Sequence, residues 1–153
     1  STLAAKSTAD RRRNIRTSSD GLVRERPAPP FPTAYGASMA EDDVLALIDT
    51  FGKAWADHDL DAALALVSDD CVFDGTGPAP DGTKSVGRDE IRAAWQPIFD
   101  DANSGFDAEE TFVAGDRVVQ RWRYSWNGGH VRGVDLFKVR DGLVVEKFSY
   151  VKG

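Results

Sequence analysis

The chain has 153 residues, enough for one domain with a hydrophobic core, and 41% of them are hydrophobic, which is normal for a globular protein. No apolar run approaches the roughly 20 residues that a membrane-crossing helix needs, so we expect no membrane partner. The net charge of −6 argues against general nucleic-acid binding. With one cysteine, Cys71, the chain forms no internal disulfide, and we expect a reducing, cytoplasmic location. The cysteine and the two histidines are scattered, so we expect no metal.

Residues 1–38 differ in composition from the rest of the chain. They contain seven basic and three acidic residues, a charge of +4. Because the whole chain has a net charge of −6, residues 39–153 carry −10. They are rich in Ser, Thr, Ala, Arg and Pro and lack hydrophobic periodicity, which predicts a disordered or extended basic tail. Three interpretations stay open: upstream sequence ahead of a domain that begins near Met39, a basic arm docked on the acidic body, or an organelle-targeting peptide.

Two helices and a strand are predicted at the start of the domain. Residues 38–41 form a capping-box pattern, and apolar residues then follow at helical spacing as far as Trp55. A second short helix is expected over residues 60–67, with Asp59 as its cap. A short strand is expected over residues 71–73.

A loop, a third helix and four strands complete the prediction. Residues 75–87 are rich in Gly and Pro and indicate a loop, and a helix follows from about 88 to 100, kinked or ended by Pro97. Tight turns separate strands at about 105–113, 117–126, 130–139 and 143–152. Helices followed by a meander predict one α+β domain over residues 39–153. Three N-terminal helices would pack in the concave face of a curved, mainly antiparallel sheet.

Asp135 is an acidic residue in a strand whose pattern indicates burial. On its face of the strand the neighbours are Gly133, Phe137 and Val139. A buried carboxylate without partners costs several kcal/mol unless it is protonated or hydrogen-bonded. We therefore predict that Asp135 belongs to a functional site.

Hairpin turns predict which residues face Asp135. A two-residue turn at Asn127-Gly128 pairs Gln120 with Asp135. A three-residue loop over residues 114–116 then pairs Glu110 with Gln120, whereas a two-residue loop would turn two phenylalanines onto the charged face, so the three-residue loop is preferred.

The last hairpin allows two registers. A three-residue loop pairs Asp135 with Lys147, and a two-residue turn at Asp141-Gly142 pairs it with Phe148. We prefer the first register because it gives the buried acid a cation. One row across four strands would then contain Glu110, Gln120, Asp135 and Lys147.

Aromatic side chains are predicted around this row, as in many small-molecule sites. The predicted pocket residues beside Glu110 are Trp55, Phe73, Trp95, Phe99, Phe106, Trp122, Tyr124 and Phe137. Two alternatives stay open: a polar network without a ligand, and a core role for Trp55 and Trp95. We expect His58 to be a solvated helix-end residue, and whether His130 reaches the pocket stays open.

Three segments together carry a family resemblance. They are residues 68–74 (Ser-Asp-Asp-Cys-Val-Phe-Asp), 87–91 (Gly-Arg-Asp-Glu-Ile) and 134–142 (Val-Asp-Leu-Phe-Lys-Val-Arg-Asp-Gly). With the predicted element order, the chain over about residues 41–152 resembles the nuclear-transport-factor-2-like (NTF2-like) superfamily. It looks closest to the SnoaL-like polyketide cyclase and ketosteroid isomerase branch. The resemblance implies a cone-shaped α+β fold, which hosts isomerases, dehydratases, cyclases, epoxide hydrolases and binding domains.

The resemblance also implies a role for Asp135. This residue stands where ketosteroid isomerases have a protonated aspartic acid in the oxyanion hole, and where SnoaL-like cyclases have an acid/base aspartate. The isomerase general base would fall at Gly75, and the His and Asp that many such chains place in the last strand fall at Lys147 and Ser149. The chain therefore departs from both catalytic sets.

We accordingly expect a cofactor-independent enzyme, an isomerase or lyase of the cyclase or dehydratase type, that acts on a small apolar carbonyl compound. Epoxide hydrolysis is a less favoured reaction. Asp135 would be the general acid or base, positioned by Gln120 and Lys147. The alternative is a non-catalytic domain that binds a hydrophobic ligand or a second copy. A homodimer is expected through the outer sheet face, predicted to contain Val134, Leu136, Val144, Phe148 and Tyr150.

Overall fold

The computed structural model describes residues 39–153, and the predicted tail of residues 1–38 lies outside the described residues. Three helices and six strands follow one another within residues 39–153. They are α1 (Glu41–Ala56), α2 (Leu60–Ala65), β1 (Val67–Asp74), β2 (Lys84–Val86), α3 (Arg88–Asp100), β3 (Gly105–Ala114), β4 (Arg117–Trp126), β5 (Gly129–Arg140) and β6 (Leu143–Val151). Within this range no helix combines the length and the apolarity needed to span a membrane.

Helix α1 buries one apolar face and begins without a side-chain cap. Val44, Ile48 and Phe51 are buried at helical spacing and pack in the core. The N-cap is Ala40, so the predicted capping box is wrong. The acidic residues 41–43 in the first turn stabilise this end of α1 instead, because their negative charges lie near the positive end of the helix dipole.

Helix α2 is shorter than predicted, whereas α3 has its predicted bounds. The side chain of Asp59 accepts a hydrogen bond from the backbone N–H of Ala62 at 3.0 Å, which confirms the predicted cap. Helix α2 ends two residues early because Val67 already begins β1. Helix α3 continues through Pro97 to its predicted end, and its last turn is held by Phe99, whose ring packs against the core.

The six strands form one sheet in the order β2-β1-β6-β5-β4-β3, in which only the pairing of β1 with β6 is parallel. Strand β2 lies inside the segment predicted to be a loop, because residues 84–86 pair with β1. The helices cover one face of the sheet, and Phe51 packs edge-on against Trp95 and Phe137 between the two layers. The predicted α+β architecture with N-terminal helices on a curved sheet is confirmed.

The β3–β4 hairpin combines a two-residue turn with a bulge. Ala114 pairs with Arg117 at the turn, so the predicted three-residue loop is wrong. The register shifts between Ala108 and Glu110. On the side of the bulge away from the turn, the hairpin has its predicted pairs, such as Ala108 with Trp122. The bulge turns Glu110 outward, where its carboxylate lies 3.0 Å from a guanidinium nitrogen of Arg121, so its predicted place in the pocket is wrong.

The β5–β6 hairpin has the same two features. Its turn is the two-residue Asp141-Gly142 turn, and the register shifts between Lys138 and Val139. The residue opposite Asp135 is therefore Ser149, so neither Lys147 nor Phe148 is its cross-strand neighbour and both predicted registers are wrong. The shift also turns Val144 into the core, where it is 0% exposed, so its predicted place on the outer face is wrong.

Candidate functional site

A cavity of about 140 Å³ opens between the concave face of the sheet and helices α1 and α3. Asp135 from β5 and Lys147 from β6 contribute the charged groups of its wall, and most of the remaining wall is aromatic or aliphatic. Both charged residues are almost completely buried, at 1% and 6% exposure. The sheet therefore presents an ion pair to an apolar cavity.

The two charged residues form a salt bridge that a hydroxyl group extends. Lys147 Nζ lies 3.0 Å from Asp135 Oδ2. The same nitrogen donates a hydrogen bond to Ser149 Oγ at 2.8 Å. A buried charge pair holds its geometry only where both ions keep hydrogen-bond partners, and Lys147 has two. The pair thus fixes the position of the Asp135 carboxylate.

Aromatic rings surround the ammonium group of Lys147. Its nitrogen lies 5.1 Å from the ring centre of Trp55, 5.0 Å from that of Phe73 and 5.9 Å from that of Phe137. A cation near the face of an aromatic ring is attracted by the ring quadrupole, and the attraction is larger where water is excluded. These rings therefore compensate part of the hydration that Lys147 loses.

Several polar atoms on the cavity residues have no partner within residues 39–153. Asp135 Oδ1 is buried and accepts no hydrogen bond there, and the indole nitrogens of Trp55 and Trp122 donate none. All three residues line the cavity. One carboxylate oxygen and two indole N–H groups on residues of the cavity wall are therefore buried without a hydrogen-bond partner in the described part of the chain.

Most of the predicted pocket residues line the cavity. Besides the ion pair, these are Trp55, Phe73, Phe106, Trp122 and Tyr124. Trp95, Phe99 and Phe137 are not among the lining residues. They pack in the core behind the cavity, where their rings lie edge-on against Phe73, Trp55 and Phe51, respectively. The prediction that they line the pocket is therefore wrong, and the core interpretation holds for Trp95. Their large side chains are needed to fill the space between helices and sheet.

Sequence reasoning missed five lining residues: Phe51, Thr76, Ile98, Val131 and Ser149. Helical spacing had placed Phe51 and Ile98 on buried faces, but spacing does not distinguish core from cavity. Ser149 would have been found if the bulge in β6 had been anticipated, because it then falls opposite Asp135.

Gln120 pairs with Asp135 in the backbone register, as predicted, but its side chain makes no hydrogen bond to Asp135. Gln120 Nε2 donates to Thr111 Oγ1 at 3.1 Å, and the side chain lines a separate groove near Gly52 on α1. The bulge in β3 brings Thr111, rather than Glu110, opposite Gln120. The predicted role of Gln120 in positioning Asp135 is therefore not supported by the geometry.

His58 is a bridging residue, which corrects the prediction that it is solvated. Its Nδ1 lies 3.0 Å from the carbonyl oxygen of Phe99, and its Nε2 lies 2.8 Å from that of Ser104. The ring therefore ties the end of α1 to the end of α3 and the start of β3. His130 is exposed on the β4–β5 hairpin and is not among the residues that line the cavity.

The part of the chain that the structure describes contains no group of three or more His, Cys, Asp or Glu side chains arranged to bind a metal. The thiol of Cys71 is fully buried, and burial raises its pKa to about 12. The charged groups on the cavity wall are the carboxylate of Asp135 and the ammonium group of Lys147.

Comparisons with solved structures identify proteins of the same fold. An NTF2-like protein of unknown function from Mesorhizobium loti is 41% identical, with a TM-score of 0.68 over 74% of this chain and 93% of that one. A candidate polyketide cyclase from Sinorhizobium meliloti is 20% identical, with a TM-score of 0.62 over 73% of this chain and 100% of that one. A candidate ketosteroid isomerase from Kribbella flavida is 14% identical, with a TM-score of 0.64 over 74% and 80% of the two chains.

At 20% and 14% identity, the last two similarities concern the fold alone. No curated protein sequence matches the chain. A family model for the SnoaL-like domain matches residues 48–147, which include both members of the buried ion pair. The chain belongs to the SnoaL-like domain family and has its NTF2-like fold.

Proposed function

We propose that this protein is a cofactor-independent enzyme of the isomerase, cyclase or dehydratase type. Its substrate would be a small, largely apolar carbonyl compound, and Asp135 would be its general acid and base. The observation that carries the proposal is the unpaired, buried Oδ1 of Asp135 on the wall of an apolar cavity. A carboxylate fixed on one oxygen and free on the other can accept a proton without changing its position.

The proton transfer would involve a carbon next to the carbonyl group. Asp135 Oδ1 takes the proton, the C–H electron pair forms the enolate double bond, and negative charge moves to the substrate oxygen. Return of the proton to another carbon gives isomerisation, and loss of a leaving group gives dehydration. Lys147 stays bound to Oδ2, 3.0 Å away, and keeps the carboxylate in place throughout.

The apolar wall supports this chemistry by lowering the local polarity. Charge that develops against such a wall interacts more strongly with fixed dipoles than it does in bulk water. The aromatic residues also supply the binding energy for a hydrocarbon body, which carries few polar groups of its own.

The test is exchange of the α-hydrogens of cyclohexanone in D2O, followed by proton NMR. Asp135→Asn should lower the protein-catalysed exchange by about 10²–10⁴-fold, the usual contribution of a positioned acid or base. Asp81→Asn, an exposed acid in the loop before β2, is the matched control and should exchange at the wild-type rate. An Asp135→Asn protein that is as active as the wild type would refute the role of Asp135.

A non-catalytic ligand-binding domain is the second candidate. The observation that favours it is the ion pair itself, because Asp135 and Lys147 neutralise each other and their pairing stabilises the sheet without requiring a catalytic role. Binding of a hydrophobic ligand with no effect of Asp135→Asn on any exchange reaction would support this candidate.

We also propose a homodimer through the outer face of the sheet. Phe112 on β3 and Tyr150 on β6 are 43% and 55% exposed on this face. Leu136 on β5 pairs with Phe148 on β6 on the same face. Exposed apolar patches of this kind are typical of subunit interfaces. Light scattering should give the mass of two chains for the wild type and of one chain for Phe148→Asp; a monomeric wild type contradicts the proposal.

A reducing, cytoplasmic location is proposed as well, because Cys71 is a free thiol.

A further inference from the structure

We infer that His58 is a proton-dependent clamp beside the wall of the cavity. When both nitrogens of its ring carry a proton, the ring holds the end of α3 against the start of β3. When the ring loses one proton, one of these two attachments is released. The inference goes beyond the proposed reaction, because it concerns how firmly the wall is held and not what the cavity binds or converts.

Both ring nitrogens of His58 face hydrogen-bond acceptors. Nδ1 lies 3.0 Å from the carbonyl oxygen of Phe99, and Nε2 lies 2.8 Å from that of Ser104. A carbonyl oxygen only accepts hydrogen bonds, and a neutral imidazole has one N–H group, whereas the imidazolium ion has two. Only the imidazolium ion therefore donates to both oxygens, and the neutral ring would place a nitrogen lone pair against one of them.

The position of the ring between two helix ends favours its positive charge. His58 follows the last turn of α1, and the carbonyl group of Phe99 belongs to the last turn of α3, where the carbonyl groups have no partner inside the helix. The carboxyl end of a helix is the negative end of its dipole, so a cation there is stabilised. Two helix dipoles thus act on the same imidazolium group.

The backbone at His58 has a conformation that glycine usually provides. The N–H of His58 bonds to the carbonyl oxygen of Trp55 at 3.2 Å, and the N–H of Asp59 bonds to that of Ala54 at 2.9 Å. These two bonds end α1 with a residue in the left-handed conformation, and His58 has a φ of 56°. A glycine would adopt this φ at a lower cost, so we attribute the histidine to the two contacts of its ring.

Charged and titratable side chains surround His58 from every element packed against it. Those that line the same surface depression are Asp57 after α1, Asp59 and Asp61 at the start of α2, and Arg92 on α3. Lys53 pairs with Asp57, and Arg92 pairs with Asp61, so three carboxylates face two cations. Asp101 lies in the α3–β3 connection, and Tyr124 of β4 lines the crevice beside the ring. Ordinary carboxyl and phenol groups keep one charge state between about pH 5.5 and 8, whereas an imidazole group changes its own.

The clamp acts on residues of the cavity wall. Ile98 precedes one of the two clamped residues, Phe106 follows the other by two positions, and both line the cavity as well as the crevice beside His58. The indole of Trp55, also in the wall, packs against the rings of Phe99 and Phe106, at 4.6 and 6.1 Å between ring centres. Release of either carbonyl group therefore loosens the wall around Trp55.

Nitrogen-15 NMR of the imidazole groups in the full chain tests the proton count. The chain has two histidines, and His130→Gln, at an exposed position, assigns their signals. Both ring nitrogens of His58 should carry a proton at pH 5.5. His58 should also bind its second proton about tenfold more tightly than His130, as one additional hydrogen bond to the charged ring provides. Equal proton affinity of the two histidines would overturn the inference.

Amide hydrogen exchange tests the release of the clamp. The N–H of Ser104 bonds to the carbonyl oxygen of Asp101, and the N–H of Asp101 bonds to that of Ile98, so both amides belong to the clamped connection. Their protection factors, which are corrected for the intrinsic effect of pH on exchange, should fall about tenfold between pH 5.5 and 8. In His58→Asn, which does not titrate and tolerates the left-handed backbone, they should stay constant. The same pH dependence in both proteins would contradict the clamp.

The indole N–H signal of Trp55 connects the clamp to the cavity, and it is measured in the His130→Gln background so that only one histidine titrates. The signal should move with the same midpoint as the His58 ring, whereas the signal of the exposed Trp126 should stay constant. With His58→Asn added, the Trp55 signal should not move. A Trp55 signal that does not follow the titration of His58 would overturn the link to the wall. These measurements need no substrate, so they give the same answer whether or not Asp135 catalyses exchange of α-hydrogens.

Discussion

Lys147 reaches Asp135 diagonally across two neighbouring strands. The residue directly opposite Asp135 is Ser149, and Lys147 pairs with Phe137, yet Lys147 Nζ lies 3.0 Å from Asp135 Oδ2. A long side chain can cover the distance between diagonal neighbours, and the direct position is then free for the hydroxyl of Ser149, which accepts from Lys147 at 2.8 Å. The diagonal arrangement gives the ammonium group two partners where a direct pair would give it one.

The first prediction concerns the removal of this ammonium group. Lys147→Met keeps a linear apolar side chain but leaves the carboxylate of Asp135 buried without a cation. Breaking a buried ion pair on one side costs about 3–5 kcal/mol, so the free energy of unfolding in urea should fall by that amount. Lys53→Met, which removes an exposed partner of Asp57, should change it by less than about 1 kcal/mol.

The double variant Lys147→Met/Asp135→Leu checks the cause of this loss. Replacing both members of a buried pair by apolar residues is often neutral or stabilising, so most of the lost stability should return. A double variant that is as unstable as Lys147→Met would show that packing around Lys147, and not the unpaired carboxylate, controls stability.

Hairpin registers show how far sequence reasoning reaches. The Asn127-Gly128 turn was read correctly, and with it the pairing of Gln120 with Asp135, because a turn of this composition leaves few alternatives. The other two hairpins contain bulges near Glu109 and Val145. A bulge adds one residue to one strand and has no residue signature as clear as that of a turn, so each register was wrong by one or two residues. The charge argument still identified Lys147 as the partner of Asp135, because a buried acid needs a cation in any register.

The second prediction concerns the glycine beneath the indole. A Cβ atom at Gly133 would lie 2.3 Å from Trp122 Cζ2 and 2.4 Å from the backbone oxygen of Tyr150. Gly133→Ala should therefore lower the free energy of unfolding by about 1–3 kcal/mol and change the near-ultraviolet circular dichroism of Trp122. Gly105→Ala is the matched control, because a Cβ atom there meets no other atom within 4 Å. Equal stability of the two variants would contradict the close contact.

The division between core and cavity could not be predicted from periodicity. Spacing identified the buried faces of α1 and α3, and Trp55 and Trp95 both fell on them. Trp55 borders the cavity whereas Trp95 is 0% exposed in the core. Which buried side chain borders a cavity depends on the packing of the helices and the sheet together, so the spacing within one helix does not encode it.

The third prediction concerns the thiol of Cys71. Burial raises its pKa to about 12 from an ordinary value of 9.0, so the native thiol stays protonated at neutral pH. Reaction with Ellman's reagent at pH 8 should be slow in the native protein and fast in urea. Because the unfolded chain loses this proton first, the unfolded state gains stability as the pH rises from about 9 to 12, and native stability falls over that range.

Cys71→Ala is the control for the alkaline effect. It should be less stable at pH 7, because it leaves a small cavity, but it should lose less stability than the wild type between pH 8 and 10. Rapid modification of the native thiol, or the same alkaline loss in both proteins, would contradict the buried position of Cys71.

The fourth prediction concerns the bridge made by His58. Its two ring nitrogens lie 3.0 and 2.8 Å from the carbonyl oxygens of Phe99 and Ser104, at a backbone φ of 56° that disfavours most side chains. His58→Ala removes both contacts and should lower the free energy of unfolding by about 1–3 kcal/mol. His58→Asn should lose less, because asparagine tolerates the left-handed conformation and its amide can donate one hydrogen bond. His130→Ala, at an exposed position, should stay within about 0.5 kcal/mol of the wild type, and a loss there as large as that at position 58 would contradict the bridge.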